Sequence, residues 1–160
     1  MDARNSKENY YLDIASSVLS RSTCVRRKYG AIIVRDDEII ATGYNGAPRG
    51  RVNCTDFGVC HRERLNVPPG ERYELCRSVH AEANAIISAS RRDMLGATLY
   101  LVGLDSKTNE IQDSSPCAMC RRLIINAGIK QVVMRTGAAK YITVNVRDWV
   151  FNDESVPNKI

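Results

Sequence analysis

At 160 residues, with 44% apolar and 26% charged side chains, the chain has the balance of a folded globular protein, not a disordered or fibrous one. One domain, residues 1–160, is expected, long enough to bury about two-thirds of its unfolded surface. The formal charge of +5 is modest, and its densest points, Arg26-Arg27-Lys28 and Arg91-Arg92, are too short for a nucleic-acid arm, so no stable nucleic-acid partner is expected.

The opening residues to Tyr11 are polar, without the apolar core of a signal peptide. No apolar stretch approaches the ~20 residues of a membrane helix, so no membrane contact and a cytoplasmic setting are expected. Thiols stay reduced there, and six cysteines (Cys24, Cys54, Cys60, Cys76, Cys117 and Cys120) then point to metal or catalysis more than to disulfides.

Tyr11, Ile14, Ala15, Val18 and Leu19 recur at helical spacing and predict a first helix over 10–19. Residues 31–34 and 39–42 flank the polar turn Arg35 to Glu38, a hairpin pattern. Residues 43–50, Gly-Tyr-Asn-Gly-Ala-Pro-Arg-Gly, break regular structure and read as a functional loop. Residues 51–79 lack periodicity, and so long an irregular stretch inside a compact domain needs something to order it. A helix over 80–90, a buried strand over 97–103, a helix over 117–127 closed by Gly128, strands over 131–134 and 141–146, and a tail helix around Trp149 follow. Strands alternating with helices imply an α/β domain of three layers, its sheet between helices.

Two motifs carry chemistry: His80-Ala81-Glu82 and Pro116-Cys117-Ala118-Met119-Cys120. One imidazole and two thiolates make a three-ligand zinc site with the fourth tetrahedral position left for water, whereas structural zinc sites are usually closed by four protein ligands. Both groups open predicted helices, where the dipole and free N–H groups favour thiolate. Zinc lowers the pKa of bound water from near 16 to about 7. Glu82, two residues past His80, is placed to shuttle protons rather than to ligate. Either motif alone is weak, for C-x-x-C also occurs in zinc knuckles and redox pairs. In order, each at a helix start with a strand between, they are specific.

With these motifs the chain resembles the cytidine and deoxycytidylate deaminase superfamily, whose zinc nucleobase deaminases pair H-x-E with P-C-x-x-C. It is most similar to the deoxycytidylate (dCMP) branch, through Tyr29-Gly30-Ala31-Ile32-Ile33-Val34, Gly43-Tyr44-Asn45-Gly46-Ala47-Pro48, His80-Ala81-Glu82-Ala83-Asn84-Ala85-Ile86 and Ile124 to Ile129. The resemblance spans roughly residues 8–135. It implies a cytidine-deaminase-like fold with a mixed five-stranded sheet, and hydrolysis of dCMP to dUMP and ammonia by zinc-bound hydroxide. Glu82 would protonate N3 and then the leaving amine. It further implies that Asn45 contacts the sugar hydroxyl and that the backbone of Ala81 and the Ser115–Cys117 turn face the base edge. Homo-oligomers, hexamers among them, are also implied.

A 5′-phosphate needs a cation, and Arg49 beside Asn45, and Arg91 at the far end of the predicted helix, are the candidates, although an exposed arginine is more often solvated surface. The remaining cysteines, Cys24, Cys54, Cys60 and Cys76, mostly lie in the irregular stretch. A second, structural zinc closed by their four thiolates, with His61 as substitute for Cys60, would order it, and some members of the branch carry one. The alternative is scattered buried thiols acting as small hydrophobes. Competing functions are deamination of another cytosine nucleoside or nucleotide, or of a base in RNA, and a non-catalytic zinc module.

Overall fold

Five strands form one mixed sheet in the computed structural model, which describes residues 3–157. Strands β1 (Arg27–Arg35) and β2 (Glu38–Tyr44) make the predicted hairpin. Its two turn residues, Asp36 and Asp37, have φ of 51° and 62°, the left-handed conformation that a tight hairpin turn demands and aspartate tolerates. Strand β1 also pairs antiparallel with β3 (Thr98–Asp105), β3 pairs parallel with β4 (Gln131–Arg135), and β4 pairs antiparallel with β5 (Tyr141–Asn145). The order is β2-β1-β3-β4-β5.

Helices cover both faces: α1 (Lys7–Leu19), α2 (Cys54–Phe57), α3 (His61–Arg64), α4 (Ala81–Ile87), α5 (Arg91–Met94), α6 (Ala118–Ala127) and α7 (Val146–Phe151). Alternation along the central strands assigns them. Ile32, Val34, Tyr100, Val102 and Val133 point to one face and pack with Leu12, Ala15 and Leu19 of α1. Ala31, Ile33, Leu99, Leu101, Val132 and Met134 point to the other and pack with Ala81 and Ala85 of α4 and Ile124 and Ala127 of α6. Each fully buried Leu or Ile stabilises by roughly 1.5–3 kcal/mol, so this second layer is what fixes α4 and α6 side by side. The parallel β3–β4 step needs a crossover, and α6 supplies it.

Two glycines let helices approach the sheet closely. A Cβ on Gly43 of β2 would lie 2.3 Å from the Ala81 carbonyl oxygen and 2.4 Å from the Ala85 nitrogen of α4. A Cβ on Gly30 of β1 would lie 2.1 Å from the Ala15 carbonyl oxygen of α1, on the opposite face.

The helix predicted over 80–90 ends at Ile87, and a separate short helix, α5, starts at Arg91. Serine side chains hydrogen-bond locally and compete with helical bonding, and Ser90 caps α5 by accepting from the Asp93 N–H. The irregular stretch is an excursion whose ends meet: Gly46 and Val79 exchange hydrogen bonds of 3.2 and 2.7 Å in an isolated antiparallel bridge. Inside it lie α2, α3 and a short 3-10 turn, Tyr73–Leu75. Among the described residues no helix is long and apolar enough to cross a membrane.

Candidate active site

His80 and Cys117 are the N-cap residues of α4 and α6, each in extended conformation immediately before its helix. Helix α6 carries Cys120 one turn further on, buried against the sheet. Because α4 and α6 share a face of the sheet, the three side chains converge. His80 Nδ1 lies 3.5 Å from Cys117 Sγ and 3.4 Å from Cys120 Sγ, and the three donor atoms all fall within 4.8 Å of one another. Bond lengths of about 2.0 Å to nitrogen and 2.3 Å to sulfur place N and S about 3.5 Å apart on a tetrahedron around zinc. The donor set therefore fits zinc in both chemistry and spacing.

The three groups are strongly coupled to one another. The hydrogen bond from the Cys120 thiol, then contacts with His80 and the helix backbone, push the Cys117 thiol well below its ordinary range. Cys120 is pushed up, first by the same hydrogen bond and then by burial. The hydrogen bond to Cys117 raises the His80 imidazole against the opposing effect of burial. Glu82, in the first turn of α4, is only 6% exposed, and burial pushes its carboxyl upward. A carboxyl held in this way can carry a proton at a pH where an exposed one cannot.

His80, Glu82 and Cys117 lie in the wall of one cavity, which Tyr29, Asn45, Arg62 and Tyr73 also line, with Cys120 buried behind. Asn45 is buried and mostly engaged: its Oδ1 accepts from Ser22 Oγ (2.6 Å) and the Tyr29 N–H (2.8 Å), and its Nδ2 donates to the Arg27 carbonyl (2.9 Å). One Nδ2 hydrogen is left for a ligand. Ala81, the first residue of α4, is fully buried and is not among the residues lining this cavity.

The two arginines expected at a phosphate stand elsewhere. Arg49 is exposed in the loop after β2 and does not line the cavity. Arg91 belongs to α5 and not to the helix of His80, and its Nε donates to the Asn126 carbonyl at the end of α6 (2.8 Å). The break at Ser88–Ser90 turns it away. The cavity's own cations are Arg26, Arg27 and Arg62, which sequence reasoning missed. Arg26-Arg27 was visible only as a dense charged spot, and Arg62 sits in the aperiodic excursion where no pattern marks a buried position.

Cys24, Cys60 and Cys76 line the same cavity, while Cys54 is buried at the start of α2. Burial raises the Cys24 thiol, with Cys76 and Cys54 close enough to add to the shift. The expected four-thiolate set is not assembled. Among the described residues, the group of three or more donors within 4.8 Å is the His80, Cys117 and Cys120 one. Cys54 is buried at the start of α2, next to Thr55, whose N–H bonds the Thr23 carbonyl, Cys60 lines the cavity just ahead of α3, and His61 is exposed.

Comparison with known proteins points the same way. The "Cytidine and deoxycytidylate deaminase zinc-binding region" matches residues 5–136. A deoxycytidylate deaminase of Mycobacterium phage D29 is 40% identical over 131 residues, covering 79% of this chain and 91% of the relative. One from Schizosaccharomyces pombe is 37% identical over 83% of this chain, which spans only 38% of that longer relative. The crystal structure of dCMP deaminase from cyanophage S-TIM5 in complex with dCMP and dUMP superposes with a TM-score of 0.56 at 26% identity, covering 83% of each chain. The converging helix starts and the likeness extending along most of the sequence lead to one conclusion: this chain belongs to the cytidine and deoxycytidylate deaminase family.

Proposed function

We propose that the protein hydrolyses dCMP to dUMP and ammonia. The observation that carries this reading is the buried carboxyl of Glu82 beside the gathered His80, Cys117 and Cys120 in a cavity lined by arginines. His80, Cys117 and Cys120 would hold a zinc ion, which when bound supplies the Lewis acidity that makes water nucleophilic at neutral pH. Glu82 takes one proton from the attacking water and delivers it to N3 of the cytosine, then takes the second from the new C4 hydroxyl and delivers it to the exocyclic amine, which leaves as ammonia while C4 becomes a carbonyl. Burial supports that cycle, since it brings the protonated form of Glu82 toward neutral pH. The remaining Nδ2 hydrogen of Asn45 donates to a sugar hydroxyl.

The similarity to deoxycytidylate deaminases supports the substrate, and the cavity's three arginines support a nucleotide over a nucleoside. A cytoplasmic setting accords with six free thiols. Self-assembly accords with the exposed Ile87, Met119 and Leu123 on adjacent helices α4 and α6. The test is loss of ultraviolet absorbance with dCMP, cytidine and dCTP offered separately. Turnover of dCMP above the other two is expected, and preference for cytidine would refute the substrate assignment.

A further inference from the structure

The structure assigns Arg62, in the excursion between β2 and α4, as the counter-ion of the nucleotide's 5′-phosphate; this rests on the dCMP reading above. Arg62 is only 5% exposed, yet it lines the cavity. A buried guanidinium is costly unless an opposite charge faces it. Among the described residues, no carboxylate oxygen lies within 4.0 Å of it, the five ion pairs all involving other residues. Its hydrogen bonds both leave from Nη2, to the carbonyls of Pro68 (3.1 Å) and Glu71 (2.6 Å). Its Nε is buried and finds no acceptor. Carbonyl dipoles hold the group in place, then, while no carboxylate makes a direct ion pair with it.

Its location says what compensates it. The guanidinium sits 4.7 Å over the ring of Tyr73, and that ring meets His80 edge-on at 5.2 Å. A single aromatic side chain thus separates the metal-ligand cluster from the cation. A ligand whose base reaches His80 and Glu82 has its other end within range of Arg62. The other cavity cations are less suited: Arg26 is already paired with Glu63 at 2.9 Å, and Arg27 is exposed beside the Tyr29 hydroxyl. A planar fork fixed by two backbone carbonyls is preorganised for phosphate oxygens, which a flexible surface lysine is not.

The test compares wild type, Arg62→Lys and Arg62→Met on dCMP and on deoxycytidine, which lacks the phosphate. Arg62→Met should lower the ratio of kcat/KM for dCMP to that for deoxycytidine by about 10- to 100-fold, through KM, with Arg62→Lys intermediate. Competitive inhibition by dUMP should weaken by the same factor relative to deoxyuridine. If Arg62→Met fails to fold, Arg62→Lys and the two inhibitors carry the comparison. Wild-type protein that uses dCMP, with variants losing both substrates alike or neither, overturns the role of Arg62 alone. Wild-type protein that ignores dCMP overturns the nucleotide reading, and Arg62's role with it.

Discussion

Gly43→Ala is a one-methyl probe of how the sheet aims the active site. The added Cβ would sit 2.3 Å from the Ala81 carbonyl oxygen, where ordinary contact begins at 3.4 Å, so α4 must retreat by about 1 Å. Overpacking of this kind costs about 1–3 kcal/mol, or a fall in Tm on the order of 2–12 °C for a chain of this size. The retreat carries His80 and Glu82 away from Cys117 and Cys120, and a misplacement of 1 Å can cost about 100-fold in rate. Gly30→Ala is the control. Its Cβ clashes as badly, but with α1, which bears none of the site residues. Thermal unfolding followed by calorimetry, with dCMP turnover measured well below both melting points, separates the two. Both variants should lose comparable stability, while only Gly43→Ala loses about two orders of magnitude in kcat. Wild-type turnover in Gly43→Ala, or equal losses in both variants, would show that the approach of α4 to β2 does not set the catalytic geometry.

Two further outcomes are expected. Glu82→Gln should fold and retain its metal by elemental analysis but lose at least ~100-fold in kcat, the low end for a general acid–base residue, and near-normal kcat would remove Glu82 from proton transfer. Burial, and secondarily the nearby Glu8 carboxylate, push the Tyr100 hydroxyl from 10 up to about 12. The native state therefore keeps a proton that the unfolded chain gives up, so this contribution is whole below pH 10 and is lost as pH rises through 12. Urea titrations across that window should show wild type losing up to about 2–3 kcal/mol more than Tyr100→Phe, and parallel curves would contradict the burial argument.

His80, Glu82, Cys117 and Cys120 were visible in the sequence as candidates because short-range spacing says what a helix start presents: a residue at the cap, a carboxyl in the first turn, a thiol one turn later. The five strands were legible because Ile, Val and Leu alternate or cluster in runs with glycine and polar turns between them. Arg91 was misjudged because Ser88, Ala89 and Ser90 continue an acceptable helical pattern, while their local hydrogen bonds end α4 at Ile87. Arg62 was invisible for a different reason. Its burial depends on the Pro68–Glu71 turn folding back over it, a tertiary event without periodicity. Of the other four thiols, Cys24, Cys60 and Cys76 share the cavity and Cys54 does not, which is less than the tight convergence a closed metal site needs.

The bridge between Gly46 and Val79 means that the chain departs from the sheet and returns to it at a single point. Everything in between can lengthen, shorten or be swapped while the hairpin and α4 keep their places, because doubling a loop costs only about 0.6 kcal/mol in closure entropy. Yet that detour furnishes Arg62 and Tyr73 to the cavity wall. What the pocket admits can therefore drift by exchange of one cassette, independently of the scaffold that performs the chemistry.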